Sequence, residues 1–104
     1  MIVDERFVTY INSLNTGNTP FLEELEKTAK ADYVPIIRRE MQNLLKLLLA
    51  MKRPVRILEV GTAVGFSALL MAEYNPVDCE ITTIENYEKR IPIAKENFAK
   101  AGRD

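Results

Sequence analysis

Apolar residues recur along this chain with two different periods, and the change from one to the other falls at Pro54. Between Asp4 and Leu14, Phe7, Val8, Ile11 and Leu14 keep helical spacing, and Asn15-Thr16-Gly17-Asn18 supplies turn chemistry that stops the helix. Thr19 followed by Pro20 predicts an N-cap with proline in the first turn, where its missing N–H costs nothing. Phe21, Leu22, Leu25 and Ala29 then line one side of a second helix running to about Lys30. Pro35 reads as the opening of a third helix, in which Ile37, Met41, Leu44, Leu48 and Met51 recur at steps of four, three, four and three. Leu45, Leu47 and Leu49 widen that stripe, which predicts contact with both a sheet and a second partner such as another subunit. The run ends after about two heptads, too short for a coiled coil.

After Pro54, Val55, Ile57, Leu58 and Val60 make a short apolar run rich in β-branched residues, a predicted buried strand ended by Gly61. Gly65 to Glu73 predicts a helix with Phe66, Leu69, Leu70 and Ala72 inward, and Asn75-Pro76 marks the next turn. Glu80 to Ile84 is the second predicted strand. Tyr87, Ile91, Ala94, Phe98 and Ala101 form a last helical stripe closed by Gly102. Pro92 inside that helix would collide with the carbonyl of Glu88, so the helix starts near Ile91 or bends there. Consecutive strands bridged by a helix of this length are parallel, which makes the fold class α/β. Residues 1–53 form a helical segment and residues 54–104 the start of a strand-helix-strand-helix unit, together one partial domain.

The 104 residues, 47% of them hydrophobic, exclude a multidomain enzyme, and a chain this short hides a small share of its surface. With no His, a Ser-His-Asp or Cys-His catalytic set and imidazole-based zinc sites are excluded. Cys79 is the only Cys and no run has membrane-span length or signal-peptide order, so a reducing, cytoplasmic setting is expected. The net charge of -1 hides a basic middle: Arg38, Arg39, Lys46, Lys52, Arg53 and Arg56 stand against Glu40 alone. That middle is either a solvated helix face or a patch that meets phosphate.

The segment Glu59-Val60-Gly61-Thr62-Ala63-Val64-Gly65-Phe66-Ser67 carries a strand into a glycine-bearing loop that opens a helix, the place where doubly wound proteins bind nucleotide-like ligands. The dinucleotide fingerprint needs a second glycine where Ala63 stands, and no Lys-Ser or Lys-Thr pair follows for a phosphate cradle. Glu59 at the strand mouth repels phosphate and attracts a cationic ligand. Glu85 ends the second strand, where a carboxylate can accept from both hydroxyls of a ribose. A nucleoside with a positively charged tail satisfies both carboxylates, and S-adenosylmethionine is such a molecule. The alternatives are an NAD-dependent oxidoreductase, which Ala63 and Glu59 weaken, and a non-catalytic helical interaction module using the stripe from Ile37 to Met51.

Glu59 through Ala68, followed by Ile81-Thr82-Thr83-Ile84-Glu85, resembles the metal-dependent bacterial O-methyltransferases related to catechol and caffeoyl-CoA methyltransferases. Val34-Pro35-Ile36-Ile37 is similar too, and the branch it resembles most is the tRNA 5-hydroxyuridine methyltransferases. The resemblance spans roughly Tyr33 to Gly102. It implies that Gly61 and Ala63 lie against the methionine part of the cofactor with Glu59 nearby. It further implies that Ser67 holds the cofactor carboxylate at a helix N-terminus, with Gly65 in the same loop, that Glu85 binds the ribose, and that Ile37 closes over the ligand. In that family a divalent ion such as magnesium, held by later strands, chelates two substrate oxygens.

The family has a Rossmann-like, seven-stranded class I sheet, and this sequence stops where its third strand would begin. The expectation is therefore a cofactor-binding N-terminal half with no catalytic or metal-ligating residues of its own, inactive alone and associating as a homodimer. The acceptor implied is the hydroxyl of a tRNA 5-hydroxyuridine or of a catechol-like small molecule.

Overall fold

The structure, a computed structural model, describes residues 4–104. Its elements run in the order α1 (Glu5–Ser13), α2 (Pro20–Ala31), α3 (Arg39–Lys52), β1 (Arg56–Val60), α4 (Phe66–Tyr74), β2 (Glu80–Ile84) and α5 (Ile91–Lys100). The two strands pair in parallel, with Arg56 opposite Glu80 and Val60 opposite Ile84. This is the α/β arrangement that the change of period predicts, with a helix carrying the chain from one parallel strand to the next.

The local chemistry sets the helix ends. Asp4 caps α1 by accepting from the N–H of Arg6 at 2.9 Å, and Thr19 caps α2 by accepting from the N–H of Leu22. Pro20 and Pro92 both stand in the first turn of their helices, so neither ring meets a carbonyl one turn earlier. The second of these positions resolves the conflict at Pro92: α5 starts at Ile91 and does not need to bend.

The core gathers around α4. Phe66, Ala68, Leu69, Leu70 and Met71 are buried on several sides of that helix, which connects the two strands while packing against α2 and α3. Leu22, Leu25 and Ala29 of α2 join Val64, Phe66, Leu69 and Leu70 in one apolar cluster, edged by Val34, Ile36, Ile37 and Phe98. Leu70 is fully enclosed, and burying a leucine side chain stabilises the fold by roughly 1.5–3 kcal/mol.

Three expectations need correction. The third helix starts at Arg39, not Pro35, because Val34 to Arg38 runs in non-helical backbone against the edge of the core, with Arg38 extended at φ -70 and ψ 158. Gln42 fixes this segment by donating its Nε2–H to the Ile37 carbonyl at 3.0 Å. The stripe of α3 is also misplaced: Met41, Leu44, Leu48 and Met51 are exposed, whereas Gln42 and Leu49 are buried. The helix turns Gln42 inward because a buried polar set awaits it, namely Glu26 of α2 at 2.7 Å and the Asn18 amide at 2.9 Å. Finally, β1 is not a buried strand among the described residues. Ile57 and Glu59 face the helices, while Leu58 and Val60 are 68% and 81% exposed on the other side.

Candidate functional site

Five residues, Gly61 to Gly65, turn the chain from the end of β1 into α4. Gly61 and Gly65 have φ of 96 and 90, a left-handed region open to glycine and costly for other residues. Ala63 occupies that region as well, at φ 50. Its N–H donates to Glu85 Oε1 at 2.7 Å, a charge-assisted bond that helps to hold an alanine where the dinucleotide fingerprint would place glycine. The Gly61 N–H donates to the Ile84 carbonyl at 2.8 Å, so the loop is fastened to the end of β2.

Glu85 accepts from two backbone amides, Ala63 at one oxygen and Tyr87 at the other, the latter at 3.0 Å. The Ala63 bond first and the Tyr87 bond second hold its carboxyl below the usual glutamate range, with the Arg90 charge adding to them. Each oxygen keeps a lone pair, so the carboxylate can still accept from a ligand.

Glu59 lies at the other end of the loop and is engaged from two sides. Ser67 Oγ donates to Glu59 Oε2, and Thr83 Oγ1 donates to Glu59 Oε1 at 2.6 Å. Ser67 belongs to the first turn of α4, whose leading N–H groups have no carbonyl within the helix to bond, a natural place for an anion.

Pro35, Ile36, Ile37, Gly61, Thr62, Ala63, Phe66 and Ser67 line a cleft of about 200 Å³. The structure thus brings Ile37, Gly61, Ala63 and Ser67 to one cleft, places Glu59 behind Ser67 and Glu85 behind Ala63, and leaves Gly65 as the hinge into α4. A Cβ on Gly65 would stand 2.7 Å from Phe98 Cε1, so this glycine serves packing as well as the turn. The cleft is smaller than typical small-molecule sites of roughly 300–1,000 Å³. Four larger cavities, the two biggest about 570 Å³ beside Asn75-Pro76 and about 620 Å³ between α2 and α5, are lined by none of Gly61, Thr62 and Ala63. The loop is where oriented donors and two carboxylates come together.

Sequence reasoning missed Thr62, Thr83 and Gln42. Strand alternation was the available signal for Thr83, which pairs with Glu59 across the sheet and precedes Glu85 by two on the same face. Nothing local marked Gln42.

The basic middle is divided by the fold. Arg38 pairs with Glu5 and Glu40, and Arg39 with Glu23 and Glu26. Lys46 lies over the Tyr74 ring and donates to Asn18. Lys52, Arg53 and Arg56 are exposed and have no carboxylate partner among the described residues. They stand at the end of α3 and the start of β1, and the loop follows the far end of that strand, about 13 Å from Arg56 at strand rise. Among the described residues no three His, Cys, Asp or Glu side chains are grouped to hold a metal ion, and no helix is long and apolar enough to cross a membrane.

Known proteins share this arrangement. The SAH-bound methyltransferase PaMTH1 of Podospora anserina superposes with a TM-score of 0.84 at 27% identity, and the O-methyltransferase of Bacillus cereus in complex with SAH with a TM-score of 0.76 at 26% identity. PaMTH1 is matched over 94% of this chain and 44% of its own, the Bacillus cereus protein over 91% and 44%. The O-methyltransferase imqG of Aspergillus flavus is 49% identical over 45 residues, 43% of this chain and 18% of that protein. The chain thus spans less than half the length of these relatives. Their common architecture is the Rossmann-like α/β fold of S-adenosylmethionine-dependent O-methyltransferases. The O-methyltransferase family matches residues 12–104, from within α1 through both strands and the loop between them, and this chain belongs to that family.

Proposed function

We propose that this chain binds S-adenosylmethionine along the Gly61–Gly65 loop and serves methyl transfer to a hydroxyl oxygen. The observation that carries the reading is the convergence of Glu85, Ala63, Gly61 and Ser67 on one turn between β1 and α4. Glu85 keeps acceptor capacity for a ribose diol, the α4 N-terminus suits the cofactor's carboxylate, and Ile37 covers the same cleft. The donor set fits a nucleoside with an amino-acid tail and not a pyrophosphate, since Ala63 carries a Cβ where close phosphate approach needs glycine. When bound, the sulfonium supplies an activated methyl group. The residues of this chain bind and orient the cofactor. A magnesium-assisted step belongs to the reading through the family resemblance, and no described residue is assigned to it.

Calorimetry with S-adenosylhomocysteine tests this directly. Glu85→Ala should weaken binding by about ten- to a hundredfold, in line with roughly 1.5–3 kcal/mol for a charge-assisted bond; unchanged affinity refutes the ribose assignment. NADH titration by fluorescence should show no saturable binding.

Two acceptor classes follow. Exposed Lys52, Arg53 and Arg56 favour tRNA 5-hydroxyuridine, because unpaired cations can make salt-dependent phosphate contacts. The separation of those cations from the loop favours a catechol-like small molecule instead. Methylation of transcribed, hydroxylated tRNA against a phenol panel decides between them. The reading also includes a homodimer in a cytoplasmic setting, with the exposed α3 row as the contact.

A further inference from the structure

We infer that Thr83 is a positioning residue for the cofactor loop, fixing Glu59 and Thr62 through a one-way chain of hydroxyl hydrogen bonds; this rests on the cofactor reading above. The argument is a count of hydrogens. Thr83 Oγ1 lies 2.6 Å from Glu59 Oε1 and 2.6 Å from Thr62 Oγ1. A hydroxyl has one hydrogen to give, and a carboxylate only accepts. Thr83 must therefore give its hydrogen to Glu59, and Thr62 must give its own to Thr83. Ser67 also donates to Glu59. The order is Thr62 to Thr83 to Glu59, with Ser67 arriving from the opposite side.

The end of β2 thus grips three successive loop residues with three successive groups. The Ile84 carbonyl holds the Gly61 N–H, the Thr83 hydroxyl holds the buried Thr62 hydroxyl, and the Glu85 carboxylate holds the Ala63 N–H. This triple hold has a physical task. Ala63 stays in a left-handed conformation that an alanine leaves readily when its neighbours are free. Thr83 itself does not line the cleft, and neither does Glu59. Both act through Thr62 and Ser67, which do.

A second consequence concerns Ser67. Its hydrogen is committed to Glu59, so toward an anionic carboxylate it offers a donor only after turning away from Glu59. Thr83 keeps Glu59 hydrogen-bonded while that turn occurs.

The experiment uses the full-length protein with two near-isosteric changes. Thr83→Val removes the hydroxyl and keeps the branched shape; Thr83→Ser keeps the hydroxyl and removes the methyl. Calorimetry with S-adenosylhomocysteine should give about tenfold weaker binding for the valine variant and affinity within twofold of wild type for the serine variant. Hydrogen exchange at the Gly61 and Ala63 amides should quicken in the valine variant alone. Wild-type affinity in Thr83→Val, or an equal loss in Thr83→Ser, overturns the inference, the latter because it assigns the effect to methyl packing. If Thr83→Val does not fold, Thr62→Val removes the same link from the loop side, and wild-type affinity there overturns the inference equally. A wild-type protein that does not bind S-adenosylhomocysteine overturns the cofactor reading itself, a result distinct from a binding wild type with an indifferent valine variant.

Discussion

Replacing Gly65 by alanine should damage this fold far more than the same change at Gly61, although both glycines have nearly the same φ, 90 and 96. Each alanine meets the left-handed backbone penalty of roughly 1–2 kcal/mol. At Gly61 the added Cβ meets nothing within 4 Å, so that penalty is the whole cost. At Gly65 the Cβ would stand 2.7 Å from Phe98 Cε1 and 3.0 Å from Cζ, below the separation that carbon atoms tolerate. The ring is a half-buried member of the core edge and must shift, an overpacking cost of roughly 1–3 kcal/mol. Gly65→Ala should therefore lose about 2–5 kcal/mol and Gly61→Ala about 1–2 kcal/mol on these scales. Urea unfolding followed by circular dichroism measures both, and a Phe98→Leu background should recover much of the Gly65→Ala loss by making room. Equal losses in the two single variants, or no recovery with Phe98→Leu, would falsify the contact as the cause.

Other consequences are as direct. Leu70→Ala should destabilise by about 3–5 kcal/mol, since the side chain is fully enclosed and the cavity left cannot collapse without moving α4; denaturant midpoints test it. Glu85 has a lowered folded-state carboxyl, so its contribution is fully present above the ordinary glutamate range and is lost as pH falls through the lower folded value. The stability difference between wild type and Glu85→Gln should accordingly shrink on acidification below that range, and a constant difference would refute the Ala63 bond as its source. Met41, Leu44, Leu48 and Met51 form an exposed row on α3, so Leu48→Glu should shift sedimentation toward the monomer if a second copy covers that row; an unchanged profile removes it as the contact.

The sequence on its own carried the order of the elements, because each is written in short-range signals. Thr19-Pro20 announces α2, Gly61 stops β1, and Pro92 limits α5 to a start near Ile91 or a bend, of which the structure takes the start. The loop and its acidic companions were legible for the same reason, since strand, turn and helix N-terminus occupy one continuous stretch. The orientation of α3 was not. Leu44, Leu45, Leu47, Leu48 and Leu49 leave little polar face to mark the outside, and the helix is turned by Gln42, whose partners Glu26 and Asn18 lie 16 and 24 residues away. Likewise Glu59 reads as a free carboxylate until β2 brings Thr83 alongside it, 24 residues on, and α4 brings Ser67. Periodicity reports which residues are apolar and where the backbone changes direction. Which polar groups meet is settled only when separate elements pack, because a hydrogen bond depends on distances of a few ångströms that spacing along the chain does not encode.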